Sequence, residues 1–360
     1  MGNSINNVID NLLSTFWRLL DLPLYALVIM MLLSMFVTTL IIRKFFKKTT
    51  VKRIWIINGV LGVFVLLFII DKKFSNMRKE ITFMNEKISD TKMTSGSGSF
   101  AIQKNLVYDI DPLKEKFPDA KIYEKAITEA IDVISFKTND PNVMTYISII
   151  DLDYPGVQIK VSPEKKHKYL TTTFAEENNC IVAINGEAGL SMGMDCELGE
   201  WTGNWISDGN VVLMTDTDKR PFIGFDKQSR AHYSIESVVD TLMNADKYNA
   251  IWGRFDILVD NEIVSHENDN PYARTVMGTN ADGSILYLMI VDGKRPDYSE
   301  GLTYTNCASI LQALGASHAM ACDQGGSSCM YVKPMGGIIN RPADNDGLER
   351  PIYSHFGISM

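Results

Sequence analysis

The chain has 360 residues, 46% hydrophobic and 22% charged, with a formal net charge of −8. That suits one large globular domain or two small ones, but the residue types are unevenly spread. Residues 1–100 hold 13 Lys and Arg against 6 Asp and Glu, and the remainder 22 against 37. An acidic C-terminal part counts against nucleic-acid binding, which depends on cations that neutralise phosphates.

In chain order, a short N-terminal segment (1–21) precedes two charge-free apolar runs, 22–42 and 54–70. A membrane helix needs roughly 20 apolar residues, with about 17 as the lower end. Both runs are therefore predicted to span the bilayer. The connecting loop, 43–53, reads RKFFKKTTVKR, with six basic residues and no acid. Such loops stay in the cytoplasm, so both ends of the hairpin should face outward. This predicts a multi-pass cell-membrane protein, with the lipid bilayer as a partner and the C-terminal part extracytoplasmic.

Segment 71–99 begins as a helical stalk. Phe74, Met77, Ile81, Met84 and Ile88 recur at spacings of three and four, one stripe of a short coiled coil. Two heptads support at most a weak homo-oligomer. The stalk ends in the flexible run TSGSGS (94–99), which sets the domain boundary near residue 100.

Beyond it, residues 112–131 have helical character, with Ile122, Ala126, Ile127 and Ala130 on one face. From about 143 the pattern turns to strands. VMTYISIIDLDYPGVQIKVS holds two β-branched runs around Pro-Gly, a hairpin or a corner. A short helix over 173–178 leads into the buried strand CIVAING. Asp208-Gly209 marks a turn between two strands, and FIGFDKQSRAHYSI repeats that form. RTVMGTNADGSILYLMIVDG is the clearest hairpin. Residues 305–314 form a helix stopped by Gly315. The fold class is mixed α+β, dominated by strands. All five cysteines follow the hairpin, and none forms a CxxC pair. Extracytoplasmic disulfides are compatible with that arrangement, with one thiol left over. The five histidines lack ligand spacing, and Gly325-Gly326 lacks the Lys of a phosphate-binding P-loop. No metal or cofactor is expected, and a metal-dependent phosphodiesterase would need a ligand cluster the sequence does not offer.

Four segments share one design, an apolar strand ending in a loop rich in Gly and polar residues: AINGEAG (183–189), PYART (271–275), IVDGKR (290–295) and CDQGGSS (322–328). Strand ends place side chains accurately, and glycine lets a ligand approach the backbone. Asn185, Glu187, Arg274, Asp292 and Asp323 are thus expected to converge on one cleft.

The order of these motifs resembles the phosphodiester glycosidase family. The matching pieces are Asn185-Gly186, Arg274-Thr275 with Gly278, Asp292-Gly293-Lys294, Gly301-Leu302-Thr303, Asp323 through Ser328, and Glu349-Arg350-Pro351. The likeness runs from about 143 to the end. It implies hydrolysis of a sugar-1-phosphodiester at the glycosidic bond, in a glycan or cell-envelope polymer. Such a reaction wants carboxylates near the anomeric carbon and cations near the phosphate. Asp292 and Asp323 are candidates for nucleophile or base, with Glu187 a third catalytic candidate. Arg274 and Arg350 suit forked phosphate contacts, supported by Lys294 and Arg295. Asn185, Gly186, Thr275, Thr303, Gly325, Gly326, Ser327 and Ser328 complete the expected substrate contacts. Two departures stand out. Gln324 replaces the first glycine of the family's Asp-Gly-Gly-Gly-Ser loop, and would be strained if that position needs φ > 0. Glu187-Ala188-Gly189 replaces an aromatic segment. Both motivate an alternative reading, a catalytically weak glycan-binding or assembly module of envelope polysaccharide production.

Overall fold

The computed structural model of the chain describes residues 106, 108–163, 168–187, 204–214, 220–234, 248–344 and 347–360. The two predicted membrane spans, their basic loop, the stalk and its linker lie outside these residues. Among the described residues no helix is long and apolar enough to cross a membrane.

Strands are numbered β1 to β18 along the chain, and every pairing between them is antiparallel. An eight-stranded sheet runs in the order β1 (Lys121–Ala126), β2 (Ile131–Asn139), β3 (Asn142–Asp151), β14 (Ile285–Val291), β13 (Arg274–Thr279), β15 (His318–Ala321), β11 (Phe255–Val259) and β12 (Glu262–Ile263). A five-stranded sheet has the order β17 (Gly337–Ile338), β16 (Met330–Val332), β5 (Val182–Asn185), β18 (His355–Ser359) and β4 (Gln158–Val161). A second five-stranded sheet has β7 (Asn210–Met214), β6 (Asn204–Ser207), β10 (Asn249–Trp252), β8 (Phe222–Phe225) and β9 (Ala231–Ser234). Three helices matter to the packing: α1 (Asp111–Lys116), α2 (Thr171–Glu177) and α3 (Tyr304–Ala313).

The large sheet is buried on both faces because its strands carry apolar residues at successive positions. In β14, Leu286, Leu288 and Ile290 enter one core, and Tyr287, Met289 and Val291 enter another. The first core lies between the large sheet and the two smaller ones, and includes Trp205, Phe222, Ile251 and Phe356. The second lies under α3 and α1, with Ile310, Leu311 and Leu113. Each such side chain contributes roughly 1.5–3 kcal/mol of transfer free energy. α2 covers the outer face of the β5–β18 sheet through Phe174 and Ala175.

One sequence expectation changes. Helix in the 112–131 region stops at Lys116, and Lys121–Ala126 is a strand pairing with β2. Of the two readings of the runs around Pro155-Gly156, a hairpin or a corner, the pairing gives the corner: β3 pairs with β2 and β14, whereas β4 pairs with β18 in another sheet. The Asp208-Gly209 turn is as expected, with both residues at positive φ, the geometry of a two-residue hairpin loop. The four described cysteines, Cys180, Cys307, Cys322 and Cys329, are free and buried, and Cys196 lies outside the described residues. Burial pushes the Cys180 and Cys307 thiols up to about 12, which keeps them unreactive.

Gly315 ends α3 at φ +98, and a Cβ there would lie 3.3 Å from the Tyr287 hydroxyl. That hydroxyl donates to the Leu314 carbonyl at 3.0 Å. Gly315→Ala should therefore cost about 1–2 kcal/mol in urea unfolding. A variant as stable as the parent would show that the turn relaxes freely.

Candidate active site

The register brings four strand ends together. Arg274 pairs with Val291, Val276 with Ala321, and Phe255 also with Ala321. Arg254, Arg274, Asp292 and Asp323 therefore leave the large sheet at the same end. In the facing sheet Asn185 pairs with His355, and Ile184 with Met330. Gly186, Glu187, Ser328 and Ser354 leave that sheet together. The two ends are clipped by Asn185, which is fully buried. Its amide donates to the Asp323 carbonyl at 2.9 Å, and its oxygen accepts from Thr275 Oγ1 at 2.7 Å and Cys329 N at 3.1 Å. The Gly186 carbonyl also accepts from Asp323 N at 3.3 Å. Asn185, Gly186 and Thr275 thus join the sheets behind the carboxylates.

The carboxylates form a line with cations between them. Glu187 has no exposed surface, and its Oε1 accepts from Arg254 Nη2 at 2.7 Å. The same nitrogen lies 3.6 Å from Asp323 Oδ1. Asp323 Oδ2 accepts from the Ser327 hydroxyl, which accepts from Arg350 Nη1 at 3.2 Å. Arg350 also pairs with Asp344, whose other oxygen is 3.3 Å from Lys294 Nζ. Gly326 permits this packing: a Cβ there would fall 2.1 Å from Asp344 Oδ2 and 2.5 Å from Arg350 Nη2.

Glu187 is the electrostatic outlier. Burial raises its carboxyl from 4.5 to about 7, with Arg254 pulling it down and the charge of Asp323 pushing it up. Its second oxygen, Oε2, is buried and has no hydrogen-bond partner among the described residues. The same holds for Ser328 Oγ. Burial works against ionisation of Asp344 as well, but Arg350 and Lys294 hold its carboxyl below the ordinary value.

Other predicted residues build the walls. Asp292 is 1% exposed. Its oxygens accept from Tyr298 Oη at 3.0 Å, Asn340 Nδ2 at 2.8 Å and Arg341 N at 3.0 Å. Asn340 in turn donates to the Ser328 carbonyl at 3.0 Å, so Asp292 orders the loop behind Ser327 and Ser328. Arg274 is 4% exposed, with its guanidinium 3.7 Å above the Tyr304 ring. It donates to the carbonyls of Leu302 (3.1 Å) and Asn270 (2.7 Å) and to Gln324 Oε1. Arg295 donates to the carbonyls of Arg341 and Pro342. Thr303 caps α3, accepting from Asn306 N at 3.0 Å.

Gln324 is not strained. Its backbone is extended, at φ −124 and ψ 177, and Gly325 takes the positive φ of +74. The departure that motivated a weakened site therefore has no backbone cost. Sequence reading missed Arg254 and Asp344. The segment IWGRF shows the same strand-to-glycine design as the four loops, with a single Arg as its only charge. Nothing in the acidic run around Asp344 distinguishes it from solvated surface. Among the described residues no group of three His, Cys, Asp or Glu is placed to hold a metal.

A family model described as phosphodiester glycosidase matches residues 178–359, which contain every member of the charged line. No curated protein sequence matches the chain. One similar solved structure is the zebrafish N-acetylglucosamine-1-phosphodiester alpha-N-acetylglucosaminidase catalytic domain, auto-inhibited by its pro-peptide. Its TM-score is 0.52 at 21% identity, covering 67% of this chain and 83% of that one. A hypothetical protein from Synechocystis has a TM-score of 0.54 at 11% identity, covering 66% of this chain and 63% of that one. Both likenesses are of fold.

Proposed function

The chain belongs to the phosphodiester glycosidase family, and from that premise we propose that it hydrolyses a sugar-1-phosphodiester at the glycosidic bond, in a glycan or cell-envelope polymer, from an extracytoplasmic position set by its N-terminal membrane hairpin. The observation that carries the reading is Glu187, buried beside Asp323, raised to about 7, with one oxygen held by Arg254 and the other without a partner among the described residues. A phosphate departs readily as an anion, so the reaction needs a base more than an acid. Glu187 Oε2 accepts the proton of the attacking water. Asp323 stabilises the positive charge that develops at the anomeric carbon. Arg350 and Lys294 are the cations placed to meet the phosphate, on the Ser327 side of Asp323.

The test is the purified full-length protein with methyl phosphodiesters of several sugars in water enriched in oxygen-18. The expected products are free sugar carrying the label and an unlabelled phosphomonoester. Label in the phosphate, or release of sugar-1-phosphate, would show cleavage at phosphorus and end this reading. So would no release from any substrate by a folded protein.

A further inference from the structure

Gln324 directly follows Asp323, and its side chain is only partly buried. Its Oε1 accepts two hydrogen bonds, from Arg274 Nη1 and from Tyr304 Oη, the latter at 2.9 Å. A guanidinium only donates, so the amide must turn its oxygen toward Arg274. The orientation of the amide is thereby fixed, and Nε2 faces away from Arg274 with two N–H groups. Among the described residues no acceptor meets Nε2. Both anchors are themselves fixed. Arg274 is held by Leu302 and Asn270, and Tyr304 begins α3, where its backbone N–H bonds Asp269 at 2.6 Å. A rigidly held donor pair beside a reacting carboxylate is the arrangement that reads a substrate oxygen.

We propose that Gln324 determines sugar specificity, its Nε2 donating to a neutral oxygen, a hydroxyl or an acyl carbonyl, of the sugar bound against Asp323. This rests on the function proposed above. The sugar is favoured over the phosphate because the donor is neutral and the solvent-facing cations lie elsewhere. Arg350 and Lys294 sit on the Ser327 side of Asp323, while the guanidinium next to Gln324 is already occupied by Tyr304, Leu302, Asn270 and Gln324 itself.

The experiment uses full-length parent, Gln324→Gly and Gln324→Glu. Glu keeps an oxygen for Arg274 and Tyr304 but removes the donors. The probes are methyl phosphodiesters of glucose and N-acetylglucosamine, together with their single-deoxy and deacylated analogues. The parent protein should prefer one intact sugar over one analogue by about 3–10-fold in kcat/KM, the range of one hydrogen bond. Both variants should lose that preference, kcat/KM falling further on the intact sugar than on the analogue. Equal losses on every substrate would make Gln324 merely structural and overturn the proposal, as would variants that keep the preference. Turnover by the parent with no such preference in any pair would also overturn it while leaving the hydrolase reading intact. No turnover of any sugar by the parent removes both.

Discussion

Glu187→Gln lowers kcat by about 10²–10⁴-fold, the usual worth of a positioned base, and flattens the pH profile. In the parent, kcat/KM should rise about tenfold per pH unit below about 7 and level off above it, because only ionised Glu187 accepts a proton. Gln keeps an oxygen for Arg254 and the shape of the side chain, so the loss belongs to the chemistry and not to packing. The shift also bears on stability. A carboxyl raised from 4.5 to about 7 on folding favours the native state below 4.5, and that contribution disappears as pH climbs through 7. It amounts to about 3 kcal/mol. Chemical unfolding should therefore find Glu187→Gln gaining on the parent by roughly that amount between pH 4.5 and 8. A variant with parental turnover, or one that keeps the pH limb, would remove Glu187 from the reaction.

Asp292→Ala is the second large effect, and it falls on folding. The buried carboxylate accepts from Tyr298, Asn340 and Arg341, which lie on two separate stretches of chain. Losing that acceptor should cost about 3–5 kcal/mol in denaturant unfolding. Turnover should fall with it, since Asn340 also holds the Ser328 carbonyl. Asp292→Asn keeps the volume and one acceptor for Asn340 and Arg341, turns its amide N–H toward the Tyr298 hydroxyl, which can accept it, and should retain much of both. The opposite pattern, intact stability with abolished turnover in Asp292→Asn, would make Asp292 a reacting group and refute the wall assignment.

The elements that could be read from the sequence are those whose pattern and environment agree. ILYLMIV is apolar throughout because both faces of β14 are covered, and its hairpin turn is marked by Asp282-Gly283. The strand-end loops could be read for the same reason, since glycine and polar residues follow apolar runs at Asn185, Asp292 and Asp323. Residues 121–126 misled because β1 is an outermost strand, exposed or half-exposed at every position and with few apolar residues. Ile122 and Ala126 then fit helical spacing equally well, and only pairing with β2 decides. The roles within the site were less accessible. Sequence gives the residue type of Asp292 and Glu187 alike, but not that one is saturated with donors and the other has an oxygen unpartnered among the described residues. Arg254 is a lone charge whose importance comes from reaching Glu187, 67 residues earlier in the chain.

The pairing of β3 with β14 also sets where an autonomous unit can begin. The family match starts at residue 178, yet seven residues of β14 are bonded in register to β3, from Ile285↔Asp151 to Val291↔Thr145. A chain begun at 178 would leave the backbone of β14 as a bare edge at the middle of the sheet. Such an edge is a template for strand addition by other copies, and its apolar side chains would add to the attraction. The stretch preceding the matched region is therefore the guard that keeps the matched half from associating through that edge. The smallest piece able to carry the fold includes β1 to β3.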